Sequence, residues 1–233
     1  MIEQHVAAKV LIVEDDKGIA KFVVDSLSEN GFETQVTTTL KDAQRAVRLQ
    51  RPDLILLDLG LPDGDGADLI GTVREFSALP IIVLSARTEE VQKARALDLG
   101  ADDYLSKPFG IVELMARIRV QMRRAVTDAN GQNNTVCTFD DVVIDLEKRS
   151  VSKGGQTLHL TKLEYRLLAV LVENRGKVLT LRQLLQMVWG PGYSDRAHYV
   201  RVYMAHLRDK LEDNPARPKW LLTESGIGYR LNN

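Results

Sequence analysis

Polar residues of a few types recur at one kind of place in the first half of this chain. Glu14, Asp15 and Asp16 directly follow an apolar run at 9–13. Asp58 closes a run at 54–58, Ser85 closes one at 81–85, and Lys107 follows one at 104–106. Several carboxylates, a hydroxyl and an ammonium are the components of a site for a charged, oxygen-rich group. Unpaired carboxylates about 4 Å apart repel by about 4 kcal/mol at an effective dielectric of 20, so such a cluster wants a divalent cation. All-oxygen ligands suit magnesium rather than zinc. An aspartate beside that ion can act as a nucleophile toward phosphorus. Lys107 and Ser85 would then hold phosphoryl oxygens by charge and hydrogen bond. A lone aspartate at a strand end is most often a cap or turn residue; four coincidences on one edge reverse that reading.

The elements that must bring these residues together are legible as alternation. Short apolar runs at 9–13, 33–37, 54–58, 81–85 and 104–106 are separated by stretches of helical period. Ile19, Phe22, Val23 and Leu27 form one such stretch, and Leu114, Ile118 and Met122 another. Asn30-Gly31, Arg51-Pro52, Leu79-Pro80 and Gly100 punctuate them. Five strands separated by helices imply βαβ units and a doubly wound, five-stranded parallel sheet. Leu54 to Leu57 is continuously apolar, as a strand covered on both faces should be. In such a sheet all strand ends of one kind share an edge, and ligands bind there. Asp63-Gly64-Asp65-Gly66 is not a calcium loop, because Ala67 and Asp68 stand where ligand and glycine are needed. Nor is it a dinucleotide fingerprint, since Leu69 replaces the third glycine. It reads as a turn.

The second half differs in charge and pattern. Residues 1–125 hold 16 Lys/Arg against 20 Asp/Glu; residues 126–233 hold 15 against 12. An acidic half and a basic half suggest two domains with different partners. The polar stretch 126–135 reads as a linker between a domain at 1–125 and one at 136–233. Strand-like pieces at 142–146 and 151–160, with turn signals at Lys148-Arg149 and Gly154-Gly155, precede three helices and two final strands around Ser225-Gly226. That order suggests an α+β winged helix-turn-helix. In the third helix, Val200, Met204, Leu207 and Leu211 share an apolar face. Opposite lie His198, Arg201, Val202, Ala205 and His206, a face suited to the major groove of DNA. A solvated amphipathic helix would carry the same pattern. One cysteine, Cys137, excludes an internal disulfide. No apolar run approaches the ~18 residues of a membrane span, and the acidic first twenty residues do not read as a secretory signal. The expectation is a reduced, cytoplasmic protein with no membrane contact.

VLIVEDD (10–16), LILLDLGLPDGDG (54–66), PIIVLSAR (80–87) and GADDYLSKPF (100–109) closely resemble the receiver domain of bacterial response regulators. The resemblance implies Asp58 as phosphoacceptor. It implies Asp15, Asp58 and the Gly60 carbonyl as magnesium ligands, with Glu14 acting through water. Ser85 would be the switch hydroxyl, Lys107 the phosphate-binding lysine and Tyr104 the aromatic switch. Asp16 is assigned no role. The Lys107-Pro108 bond is a candidate cis peptide. LTKLEYRLLAVLVENRGKVLT (160–180), LLQMVWG (184–190), HLRDKLE (206–212) and GIGYRL (226–231) resemble the DNA-binding domain of the OmpR/PhoB subfamily. That subfamily implies a two-fold dimer face in which Lys93 meets Glu113 of a second copy, Asp103 meets Arg117, and Asp98 meets Arg119. Mixed surface charge alone would look the same.

The implied partners are a sensor histidine kinase, promoter DNA with tandem half-sites, RNA polymerase, and a second copy of the chain on phosphorylation. The stretches DLGLPDGDG, LSKPFGIVEL, RLLAVLVEN, QMVWGP and DNPARP are similar to family members that control potassium uptake, which implies potassium-uptake genes as targets. Ser225 stands where some relatives carry an arginine for the minor groove, and Thr223 remains placed to reach a phosphate. The family is not one of turnover enzymes. A magnesium-dependent aspartyl phosphatase would need a second aspartate where Gly60 stands. A DNA binder indifferent to phosphorylation would not need Asp58, Ser85 and Lys107 together.

Overall fold

The structure, a computed structural model, describes residues 7–86, 90–129, 135–193 and 196–232. The chain falls into two compact units, Met1–Val126 and Thr127–Asn233.

The first unit runs β1 (Lys9–Val13), α1 (Lys17–Glu29), β2 (Glu33–Thr37), α2 (Leu40–Gln50), β3 (Leu54–Leu57), α3 (Ala67–Arg74), β4 (Ile81–Ser85), α4 (Glu90–Asp98), β5 (Asp103–Ser106) and α5 (Ile111–Ala129). Between β3 and α3, Gly60–Leu61 pairs with Gly64–Asp65 in a two-residue antiparallel ladder. The five strands form one sheet of order β2-β1-β3-β4-β5, with every neighbouring pair parallel. This is a doubly wound order whose crevice lies at the carboxyl ends of the strands. All four residues of β3 are buried, because helices cover both faces. Val10, Ile12, Leu54, Leu56, Ile82 and Leu84 meet Val23, Leu27, Leu114 and Ile118 in one core. Phe22, expected with the apolar face of α1, is instead 44% exposed, its ring 6.5 Å from that of Phe109.

The second unit begins with an antiparallel sheet: β6 (Val136–Phe139), β7 (Val142–Asp145), β8 (Ser150–Lys153) and β9 (Gln156–Thr157), in the order β9-β8-β7-β6. Then come α6 (Lys162–Glu173), β10 (Leu179–Thr180), α7 (Leu181–Val188), α8 (Ala197–Leu211), β11 (Leu221–Glu224) and β12 (Gly228–Leu231). The last three strands pair as β10-β12-β11. Thr161 and Thr180 close reciprocal capping boxes with Glu164 and Gln183 at the starts of α6 and α7. Gly228 is required by close approach: a Cβ there would collide with the Leu179 carbonyl. Leu167, Leu168, Leu171, Leu184, Leu185, Val200, Met204 and Leu207 bury against the inner residues of both sheets.

The turn expected at Gly154-Gly155 divides the run at 151–160 into two strands, the second ending at Thr157, and both glycines adopt positive φ. Other features depart from expectation. The strand Val136–Phe139 and the two-residue strand Leu179–Thr180 were not anticipated. Helix α5 continues to Ala129, four residues into the stretch read as linker. Residues 130–134 of that stretch lie outside the described residues.

Candidate functional site

The carboxyl edge of the parallel sheet collects the expected polar residues. Glu14, Asp15 and Asp58 each offer a carboxylate oxygen, and these atoms lie within 4.8 Å of one another. Lys107 Nζ donates to Glu14 Oε2 and to Asp58 Oδ2, each at 2.6 Å. The Glu14 side chain is 1% exposed, that of Lys107 10% and that of Asp58 13%, whereas Asp15 is exposed. Burial pushes the Glu14 carboxyl up, against the hydrogen bond from Lys107. Burial would lower the Lys107 ammonium, but its hydrogen bonds to Asp58 and Glu14 outweigh that and hold it above its ordinary value. The donor set is hard oxygen, with one exposed acid, and it fits a magnesium-like divalent cation.

Backbone pairing brings these groups together. The Asp58 N–H donates to the Val13 carbonyl at 2.9 Å, and the Lys107 N–H donates to the Ser85 carbonyl at 3.0 Å. The Lys107-Pro108 bond is cis. Ser85, buried at the end of β4, pairs in register with Ser106. The Gly60 N–H donates to Asp58 Oδ1 at 3.1 Å. Gly66 closes the loop behind Asp58: an added Cβ would collide with the Asp58 carbonyl oxygen and with Leu59 Cα. Two aspartates fix the frame in ways the spacing did not reveal. Asp16 caps α1, accepting from Gly18 N–H at 2.8 Å and Ile19 N–H at 2.9 Å, which holds its carboxyl below the usual range. Asp63 accepts from the Leu40 and Lys41 N–H groups at 2.7 and 3.1 Å, tying its loop to the start of α2.

On the face formed by α4, β5 and α5, charged side chains pair within the chain. Asp103 and Arg117 meet within this chain, Arg117 Nη1 donating to both Asp103 oxygens at 2.8 Å. The Asp103 side chain is 1% exposed. Arg117 also donates to Glu113 at 2.8 Å. Lys93 Nζ sits 5.4 Å from the centre of the Tyr104 ring, and Tyr104 is 8% exposed. Asp98 and Arg119 are exposed. Asp102, at the opposite edge of the sheet, is held by Arg74 at 2.7 Å and by the Ile81 N–H at 3.0 Å.

In the second unit, Val200, Met204, Leu207 and Leu211 are buried while His198, Arg201, Val202, Ala205 and His206 are all exposed. The expected recognition face is therefore one continuous solvent face of α8. Thr223 is exposed on β11, and its hydroxyl accepts from Arg208 Nη2 at 2.8 Å. Arg208 also donates to the Leu221 carbonyl and lies 5.6 Å from the centre of the Tyr229 ring. It joins α8 to the wing, a role its place in a cationic helix did not reveal. The protein-family comparison agrees with these two units. Residues 10–119 match the response regulator receiver domain, and residues 155–231 match the transcriptional regulatory protein, C-terminal domain. The chain is 53% identical over 221 residues to the KDP operon transcriptional regulatory protein KdpE of Escherichia coli strain K12, covering 95% of this chain and 97% of that one. It is 45% identical over the same length and coverage to the transcriptional regulatory protein KdpE of Mycobacterium tuberculosis. Among solved structures it resembles the response regulator DrrB of Thermotoga maritima, an OmpR/PhoB homolog. The TM-score is 0.51 at 28% identity, covering 98% of this chain and 100% of that one.

Proposed function

The chain belongs to the OmpR/PhoB family of DNA-binding two-component response regulators, and from that premise we propose that Asp58 takes a phosphoryl group from a sensor histidine kinase and thereby switches the second unit onto promoter DNA. The observation that carries this is the bridge of Lys107 Nζ to Glu14 and Asp58 at 2.6 Å beside three clustered carboxylates. An Asp58 oxygen attacks phosphorus; the phosphorus–nitrogen bond to the kinase imidazole breaks, and its electron pair leaves with the imidazole. Asp15, Asp58 and the Gly60 carbonyl, with Glu14 beside them, would hold magnesium, which supplies charge neutralisation for the phosphoryl oxygens. Lys107 supplies the fixed protein cation for the same oxygens. Ser85 and Tyr104 read the phosphoryl group from the neighbouring strands, and the α4–β5–α5 face then pairs with a second copy.

Phosphorylation acts only through a difference in stability between two states. The paired copies place two α8 helices on tandem half-sites, where His198, Arg201, Val202, Ala205 and His206 meet the major groove and RNA polymerase is engaged. Similarity to KdpE supports potassium-uptake genes as the targets. The protein works in the cytoplasm as a regulator and not as a turnover enzyme. Incubation with acetyl phosphate and magnesium, followed by intact-mass measurement, tests the central step. One phosphoryl increment in the wild type and none in Asp58→Ala is expected. An increment in both removes Asp58 as the acceptor.

A further inference from the structure

Glu164 lies in the first turn of α6 with its side chain only 4% exposed, a rare place for an acid unless it is paired. Its Oε2 accepts from the Thr161 backbone N–H and from Lys210 Nζ, both at 2.7 Å. Its Oε1 lies 3.6 Å from Nδ1 of His206. Burial pushes this carboxyl up, but hydrogen bonds from Lys210 and Thr161 hold it below its ordinary range, so it is anionic. Lys210 is further engaged by the His159 carbonyl at 3.1 Å. His206 is about half exposed on the face that carries Arg201, Val202 and Ala205. Among the described residues, the titratable groups beside its ring are Glu164 from α6 and, on α8 itself, Lys210 through the shared carboxylate, the exposed Asp209 one turn on, and Tyr203, whose ring lies edge-on at 5.9 Å.

We propose that Glu164 is a positioning residue of the DNA-binding face: it pairs with His206 from the Nδ1 side once that ring is protonated, leaves Nε2 for a DNA phosphate, and makes DNA binding tighten as pH falls. The inference rests on the reading of α8 as the DNA-contacting helix. With a neutral imidazole, the Glu164, Lys210 and His206 group carries no net charge, because the carboxylate and the ammonium cancel. Protonation at Nε2 makes the group +1 and leaves both ring nitrogens as donors, one toward Glu164 and one toward the duplex. A phosphate beside that cation favours the protonated form, so the bound state holds more protons than the free state. Affinity therefore rises as pH falls through the range of about 5 to 8 in which histidine changes charge. One proton limits the change to about tenfold per pH unit. The same added cation should steepen the salt dependence by about 0.9 in slope at low pH.

The test uses the full chain and a duplex that the wild type selects from a random library. Binding is measured between about pH 6 and about pH 8 at several salt concentrations. The wild type should tighten several-fold toward the lower pH, with the steeper salt slope. His206→Gln should abolish that pH response. Glu164→Gln, which keeps an oxygen for the Thr161 N–H and hence the cap, should shrink it without changing the unfolding transition greatly. His159→Gln, outside α8, should retain it. A pH response that survives His206→Gln, or that is unaltered in Glu164→Gln, overturns the inference. A wild type that binds its duplex without pH dependence overturns the inference alone. A wild type that selects no duplex overturns the DNA-binding reading and the inference with it.

Discussion

Lys107 is the side chain on which the receiver pocket's electrostatics turn. Its ammonium stands 2.6 Å from two carboxylates, one of them fully buried. Lys107→Ala leaves Glu14 and Asp58 facing each other without that cation, yet the exposed side of the pocket lets water and ions screen them. The variant should fold and still accept a phosphoryl group, but phosphorylation should no longer drive dimerisation. Sedimentation or light scattering with and without acetyl phosphate checks this, and normal phosphate-induced dimerisation contradicts the role. Gly66 makes a different demand, one of space. Gly66→Ala pushes a methyl group into the Asp58 carbonyl and Leu59, so the loop behind the acceptor must shift. The mass increment should appear more slowly at an unchanged helical signal by circular dichroism. An unaltered rate would show that the loop yields without moving Asp58.

Helix α8 divides its work between two faces, and its arginines show the division. Arg208 is anchored to the Leu221 carbonyl and the Thr223 hydroxyl, so it holds the wing against the helix. Arg201 lies on the exposed face. Arg201→Ala should lower operator affinity by about 1–3 kcal/mol and relax specificity at one base pair if it reads a base edge. If it meets a phosphate, all sequences should weaken together and the salt slope should fall by about one. Titrating operator and scrambled duplexes at several salt concentrations separates these outcomes, and unchanged affinity for both removes α8 as the reader. Thr223 accepts from Arg208, which leaves its hydroxyl proton to donate to a phosphate.

Dimerisation belongs to the whole molecule, and the Asp103–Arg117 pair shapes how it must be probed. That pair is bidentate, within one chain, and buried on the aspartate side. Neighbouring carboxylates hold the Arg117 guanidinium far above its ordinary value, overcoming its burial. Removing Arg117 takes the cation from a buried carboxylate that keeps the Tyr104 N–H, at a cost of up to about 3–5 kcal/mol, so loss of dimer in that variant would not separate interface from fold. Lys93 and Glu113 are the better probes: neither is buried, and changing either leaves the Asp103–Arg117 pair in place, although Glu113 also pairs with Arg117. Charge reversal at Glu113 should weaken the phosphorylated dimer, and a matching reversal at Lys93 should partly restore it. Failure of the double variant to recover would leave these charges as a solvated surface. Tandem half-sites about 10–10.5 base pairs apart would set both copies on one side of the duplex.

Periodicity and the position of polar residues after apolar runs were enough to place the parallel sheet and its pocket. A strand that continues an apolar run must end at the sheet edge, and parallel pairing puts every such end on the same edge. Asp58 and Lys107 are therefore brought together although 49 residues apart, and Glu14 and Lys107 although 93 apart. The apolar face of α8 likewise dictated which residues face solvent. The resemblance to known receivers supplied the roles, which spacing alone does not carry. Other features were settled only in three dimensions. Whether Asp103 finds Arg117 in its own chain depends on rotamers and on the separation of β5 from α5, which no linear pattern encodes. Asp16 as a cap and Asp63 as a brace depend on where single N–H groups point. Helix α5 outran its apolar pattern because extending a formed helix costs far less than starting one. The strand Val136–Phe139 was hidden because its alternation is short and follows a polar stretch, so only pairing with β7 gives it a hydrogen-bonded partner. Glu164 reads in sequence as an ordinary capping-box acid. Only the packing of α8 against α6 places His206 and Lys210 on its two oxygens.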